Sequence, residues 1–289
     1  MGTLVAMLYP TVLALGAADH TYVRCSTGGK AWSCWGDKTG GSFLRSGVGS
    51  TNQADAIAEP NERAGVTCYL VNGVCHQAAN RILFPAGIFV TGARGYGVSL
   101  AIYGPYGRPT GALGTCKAPF NHHAGTTGDL PECVASPLDS TATGETRSSK
   151  ERRYFKNVSR AYGEVVPLRF QDKHREGANL VEFMVHLFDY QIEYNLGDKL
   201  DKRRLDRLRK IRASAETSRI QIETDFAERK LKANEFVAMS DLLAISFQKE
   251  VAGATEPDEY EALFNLKYGE FIVLADPTIV TKAYPKMEL

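Results

Sequence analysis

Glycine, cysteine and charge are distributed very unevenly between the two halves of the chain. Residues 1–150 contain 22 of the 27 glycines, all six cysteines and both tryptophans, but only 11 Lys+Arg and 9 Asp+Glu. Residues 151–289 contain five glycines, no cysteine, 23 Lys+Arg and 24 Asp+Glu. Glycine favours turns and close backbone approach, whereas dense mixed charge with few glycines is typical of long solvated helices. The sequence therefore predicts a domain at 1–140, a linker at 141–165 and a charged helical domain at 166–289.

Net charge and the length of the apolar runs argue against a nucleic-acid partner and a membrane span. A net charge of +1 on 289 residues gives no basic surface for nucleic acid. The cationic stretch at 202–210 contains Asp206 and follows Asp201, so we interpret it as a solvated helix face. No apolar run is long enough to cross a bilayer. We expect no nucleic-acid partner and no membrane span.

The apolar segment from Leu4 to Leu15 has two interpretations. No Lys or Arg precedes it, so the positive region of a signal peptide is missing. We therefore predict a buried segment and a cytoplasmic protein. The alternative is a secreted protein in which residues 1–18 are a signal peptide.

The six cysteines do not have the spacing of a metal site or a redox motif, since no pair is separated by only two to four residues. We expect free thiols, with three disulfides as the alternative. We also expect neither a metal nor a cofactor.

Residue patterns predict the elements that would carry a site. Residues 20–25 are rich in β-branched and aromatic residues and indicate a strand, which a turn joins to a second strand ending at residue 35. Residues 75–83 consist of good helix formers and precede Pro85. Further segments are predicted as strand-like or helical: strand-like runs at 68–71, 88–90 and 268–274, and helices at 177–195, 218–237 and 241–251.

Cys75 falls in the first turn of the predicted helix at 75–83. A helix amino terminus stabilises a thiolate, its unpaired N–H groups can hold an oxyanion, and a nearby histidine can act as a base. His20, at the head of the predicted strand, is the histidine best placed to supply that base. Sequence reasoning therefore selects Cys75 as nucleophile and His20 as its partner.

A histidine-bearing strand followed by a cysteine-bearing helix resembles the circularly permuted papain-like fold of the NlpC/P60 superfamily. The residues that carry the resemblance are Asp-His-Thr-Tyr-Val at 19–23 and Gly-Val-Cys-His-Gln-Ala-Ala-Asn at 73–80. The resemblance covers residues 1–105. It implies an α+β fold, with a small antiparallel sheet packed on the cysteine helix and a helical C-terminal part. It also implies a thioacyl-enzyme mechanism, as in peptidases, amidases, deamidases and acyltransferases.

These families place a polar third residue on the strand after the histidine. The corresponding position falls near Trp32, which has no acceptor, so Ser33 and Asp37 are the candidates, and we select Asp37. Trp32 and Trp35 are predicted to line a substrate groove, together with the polar residues that follow Cys75, namely His76 and Gln77. The alternative base is His122 or His123, which would give the unpermuted order of cysteine before histidine.

Two hypotheses about function follow. The first is a cysteine hydrolase or acyl/amide transferase that acts on a peptide or amide carbonyl. The second is a non-enzymatic binding or structural module. In both, the C-terminal helices are expected to dock a protein partner or to self-associate.

Overall fold

A computed structural model of the chain defines the fold. It describes residues 2–13, 16–26, 29–58, 68–108, 149–168 and 176–285. The alternative bases His122 and His123, and the cysteines Cys116 and Cys133, lie outside the described residues.

The sheet is antiparallel and has the order β3-β2-β1-β4. Its strands are β1 (Gly2–Leu13), β2 (Gly16–Cys25), β3 (Ala31–Trp32) and β4 (Ser42–Gly49). The predicted buried apolar segment forms β1, which pairs with β2 on one side and β4 on the other. Leu4 and Ala6 of this central strand are fully buried. The predicted α+β class with a small antiparallel sheet is confirmed.

Helices make up most of the remaining described structure. They are α1 (Thr51–Ala58), α2 (Cys75–Ile82), α3 (Tyr96–Tyr103), α4 (Ser149–Leu168), α5 (Glu176–Leu196), α6 (Lys202–Ala227), α7 (Ala233–Ala252), α8 (Pro257–Phe264) and α9 (Pro277–Ala283). None of the helices among the described residues is both long and apolar enough to cross a membrane.

Several elements differ from the sequence prediction. Helix α4 begins inside the predicted linker, because Tyr154, Phe155 and Val158 bury an apolar face there. A turn at 228–232 interrupts the helix predicted at 218–237. The segments predicted as strand-like at 88–90 and 268–274 are irregular and pair with no strand in the described structure. The Val90 backbone N–H donates to the Asn80 side chain, and the Ile272 backbone N–H donates to the Gln248 side chain.

The two compositionally distinct parts share one core. Helix α3, from the glycine-rich part, packs against α5, α6 and α8 of the charged part. Gly97 of α3 approaches the α8 backbone closely, since a Cβ there would lie 2.6 Å from the Phe264 Cα atom. The buried side chains form one cluster from Leu4 to Val280. The predicted separation at 141–165 is therefore a change in composition that does not divide the core.

Asp201 caps the amino terminus of α6, since its carboxylate accepts a hydrogen bond of 2.8 Å from the Arg204 backbone N–H. Replacing Asp201 by alanine is expected to cost about 1 kcal/mol, because that N–H loses its acceptor and the helix dipole loses an anion. Urea denaturation measures the change. Asp198→Ala, at an exposed position just before the helix, is the matched control. Equal stability of the two variants would rule out the capping role.

Candidate active site

Cys75 is the first residue of α2, as the sequence predicts. The preceding Val74 is extended, and its backbone N–H donates to the Gln77 side-chain oxygen at 3.1 Å, which closes the first turn. Gly73 has a φ of +154°, and a Cβ there would lie 2.7 Å from the Cβ of Gln77. A glycine at this position therefore lets the chain turn sharply into the helix that carries the cysteine.

The thiol of Cys75 lies against the backbone of β2. Its S–H donates to the Asp19 carbonyl oxygen at 3.8 Å. Cys75 is partly exposed, yet burial of its sulfur raises the pKa to about 11. Hydrogen bonds from Thr21, and from the backbone of His76 and of Cys75 itself, act in the opposite direction and lower that pKa. The resting group at neutral pH is therefore a thiol, surrounded by donors able to stabilise a thiolate once it forms.

His20 lies on β2 and its side chain is enclosed. Its Nε2 atom is 2.8 Å from the Ser33 hydroxyl, its ring centroid is 4.8 Å from that of Tyr9, and a Cβ at Gly36 would lie 2.4 Å from the ring. Burial lowers its pKa to about 4, although the charges of Asp276 and Asp37 and a hydrogen bond to the Asp37 backbone raise it. The imidazole is therefore neutral at pH 7.

The structure places the Cys75 sulfur against the part of β2 that contains His20. The sulfur contacts Asp19 and Thr21, the two neighbours of His20 in the chain. The imidazole is directed at Ser33, and no hydrogen bond joins it to the thiol within the described part of the chain. Ser33, one of the two candidates for the third residue, bonds the imidazole directly. Asp37, the other candidate, acts through its charge and its backbone.

His76 is buried and locked in one tautomer. Its Nε2 atom is 3.0 Å from the Asp19 carbonyl oxygen and its Nδ1 atom is 2.8 Å from the Ser99 hydroxyl. A carbonyl only accepts, so Nε2 of the neutral ring carries the proton. Nδ1 lies against the Ser99 hydroxyl, which also contacts the Tyr96 carbonyl at 3.0 Å. Burial lowers the pKa of His76 to about 3. This imidazole fixes α2 to β2 and α3 and has no nitrogen free to serve as a base.

The other polar residues of α2 have similar roles in the interior. Gln77 donates to the Ser99 hydroxyl at 3.3 Å and to the Gly104 carbonyl at 3.1 Å. Asn80 donates to the Pro105 carbonyl at 2.8 Å and accepts from the Val90 backbone N–H at 2.9 Å. Both side chains are fully buried. His76 and Gln77 therefore lie in the interior, not on the predicted substrate groove, because their polar atoms tie α2 to the chain around it.

The two tryptophans lie on β3, which pairs with β2 at Val23 and Arg24, and in the segment just after it. The Trp32 indole N–H donates to the Asp55 carboxylate at 3.0 Å, and Trp35 has a φ of +63°. Both are half-buried and pack against the core. Asp37 is exposed and its backbone N–H donates to the Tyr9 hydroxyl at 3.1 Å.

Sequence reasoning missed three residues of this site. Asp19 supplies the carbonyl shared by Cys75 and His76, and its carboxylate accepts from the Arg94 backbone N–H at 2.7 Å. Thr21 lies against the sulfur, and Ser99 on α3 contacts the Nδ1 atom of His76. The position of Asp19 beside His20 was the available signal, whereas nothing in the sequence pointed to Ser99.

Four of the six cysteines lie in the described residues, and no disulfide joins any two of these four. No group of three or more potential ligands is arranged to hold a metal ion in these residues. Comparison of the chain with protein-family models, with curated proteins and with solved structures finds no match.

Proposed function

We propose that the protein is a cysteine-dependent hydrolase or acyl transferase that acts on an amide or peptide carbonyl, with Cys75 as nucleophile and His20 as base. One observation carries the proposal: the Cys75 sulfur lies at the amino end of α2, among hydrogen-bond donors, beside the strand residues that flank His20. The likeness to permuted papain-like enzymes supports the same assignment.

The chemistry has a defined order. The thiol is protonated and the imidazole is neutral at pH 7, so proton transfer accompanies attack on the carbonyl and does not precede it. For this step His20 exchanges its Ser33 partner for the thiol proton when substrate binds. Sulfur then forms a bond to the carbonyl carbon, and the proton taken up by His20 passes to the leaving amine as the C–N bond breaks. Water or a second nucleophile releases the acyl group.

The test is acylation by an activated ester. The full chain is incubated with an N-acetylated amino-acid p-nitrophenyl ester, and acyl groups on the six cysteines are counted by peptide mass spectrometry. Cys75 is expected to be acylated at least about tenfold faster than any other cysteine, because proton transfer to a positioned base contributes about 10²–10⁴-fold. His20→Gln is expected to remove this advantage, whereas Ser33→Ala, which frees the imidazole, is expected to raise the rate.

Two controls make the result decisive. His186→Gln changes an exposed histidine on α5 and should leave acylation unchanged. Circular dichroism checks that each variant is folded. If Cys75 reacts no faster than the other cysteines in the folded wild-type chain, the enzymatic proposal fails and the binding-module hypothesis replaces it. The Ser33→Ala variant keeps the test informative if His20→Gln does not fold.

A further inference from the structure

A cavity of about 260 Å³ lies between Arg45 of β4, the segment 87–93 that precedes α3, and helices α3, α4, α5 and α8. It opens at the surface beside Thr91 and Ala262, both of which are exposed. None of the residues that carry the proposed catalytic chemistry lines it. The cavity is therefore a separate feature of the molecule.

Aromatic rings form one wall of the cavity. Phe89, Tyr154 and Phe155 pack together, with centroid distances of 5.9 Å from Phe89 to Tyr154 and 5.3 Å from Phe89 to Phe155. Tyr194 extends this wall at 4.8 Å from Tyr154. Leu100 on α3 also lines the cavity. A flat apolar molecule would contact both ring carbon and aliphatic carbon there.

The charged groups at the cavity are already balanced. The Arg45 guanidinium donates to the Phe89 carbonyl at 3.2 Å and lies 3.7 Å from the Glu151 carboxylate, and Glu151 in turn accepts from the Tyr194 hydroxyl. An anionic ligand would have to displace Glu151, and a cationic ligand would meet Arg45. A ligand without net charge avoids both penalties.

Asn195 provides the polar contact that orients a ligand. It lines the cavity, is partly exposed, and makes no side-chain hydrogen bond to any residue that the structure describes. Its amide both donates and accepts. A carbonyl oxygen on the ligand can accept from that N–H₂ group, while a cavity of this volume, below the usual range of about 300–1,000 Å³, takes a molecule of one or two rings.

We propose that this cavity binds a neutral aromatic molecule that carries a carbonyl group. The aromatic body packs against the Phe89–Tyr154 wall and Leu100, and the carbonyl oxygen accepts a hydrogen bond from Asn195. The site is independent of Cys75, so binding does not depend on the proposed acyl chemistry.

The probe for this site is 6-propionyl-2-(dimethylamino)naphthalene, a neutral naphthalene ketone whose fluorescence shifts to shorter wavelength in an apolar site. Titration of the full chain is expected to show a saturable blue shift, which 2-acetylnaphthalene reverses by competition. Ala262→Trp fills the cavity mouth from an exposed position and is expected to weaken binding at least about tenfold. Asn195→Ala is expected to weaken it about fivefold to tenfold through loss of the carbonyl hydrogen bond.

Matched controls locate the bound probe. Ala238→Trp places the same side chain on an exposed face of α7, and Asn234→Ala removes an exposed amide there; both should bind the probe as the wild type does. Phe43, which is 63% exposed, is a competing aromatic surface. Absence of a saturable shift, an undiminished shift in Ala262→Trp, or loss of the shift in Phe43→Ser would each overturn the proposal.

Discussion

Replacing Glu216 by glutamine is expected to lower the free energy of unfolding by about 3–5 kcal/mol, the usual effect of removing one partner from a buried ion pair. Glu216 is fully buried on α6 and is the anion shared by three arginines. The carboxylate oxygens lie 2.7 Å from Arg108 Nε, 2.9 Å from an Arg212 nitrogen and 3.5 Å from Arg219 Nε. The charges of these arginines hold the Glu216 pKa at about 2 although burial raises it.

The size of the effect follows from the charge that remains. Arg108, Arg212, Arg219, Glu216 and Glu223 form a buried cluster with a formal charge of +1. Glutamine at position 216 would raise that charge to +2 without any water to solvate it. Backbone carbonyls accept from two of the arginines but do not neutralise them.

Urea denaturation at pH 7 measures the loss, with Glu182→Gln on an exposed face of α5 as the matched control. The control is expected to stay within about 0.5 kcal/mol of the wild type. If Glu216→Gln proved as stable as Glu182→Gln, the cluster would contribute nothing to folding and the shared carboxylate would not be its centre.

Two arginines of the same cluster bond the backbone segment that precedes α2 and the candidate active site. Arg219 donates to the carbonyls of Leu70 and Val71 at 3.1 and 2.9 Å, in the segment that leads into α2. The Arg108 backbone N–H donates to the Asn72 carbonyl at 2.8 Å in the same segment. Helix α6 of the charged part therefore holds the backbone that positions Cys75, which gives the C-terminal helices a structural role within this chain.

The sequence identified the elements of the site where local preference and tertiary structure agree. Residues 75–83 combine good helix formers with a following proline, and α2 occupies 75–82. Residues 20–25 are β-branched and aromatic, and they form the second half of β2. In both segments the pattern is local, so a single sequence carries it.

The sequence failed where distant contacts decide the structure. The polar face of α2 resembled a substrate surface, but its side chains satisfy backbone groups of chain segments ten or more residues away. The turn at 228–232 contains no glycine or proline. It forms because Phe226 and Phe236 stack at 4.1 Å and bring α6 back against α7. Neither relationship is visible in a local window.

Acid is expected to destabilise the protein as the pH falls below about 6.5, because two buried histidines resist protonation in the folded chain. Burial lowers the pKa of His20 to about 4 and that of His76 to about 3, against 6.5 in the unfolded chain. The unfolded chain therefore binds protons below pH 6.5 that the folded chain excludes, and stability falls as the pH falls. At pH 4 the loss is about 3 kcal/mol for each histidine, at about 1.4 kcal/mol per pKa unit.

The contribution of Asp241 to stability changes with pH in the opposite direction, so a variant of this residue tests the prediction. Burial raises its pKa from 3.8 to about 6, so the folded chain takes up a proton first and stability rises as the pH falls through 6. This contribution offsets part of the loss from the two histidines, so the stability of the wild type still falls from pH 7 to pH 4. Asp241→Asn keeps the oxygen that accepts from the Ala275 backbone N–H but removes the titration.

Urea denaturation at pH 7, 6, 5 and 4 compares the slopes of stability against pH. Asp241→Asn is expected to lose stability more steeply than the wild type, His20→Gln less steeply, and Asp198→Asn, at an exposed aspartate, in parallel with it. Stability that stays constant from pH 7 to 5 in both the wild type and Asp241→Asn would show that His20 and His76 accept protons in the folded state. The enclosed neutral imidazole on which the proposed proton transfer depends would then be excluded.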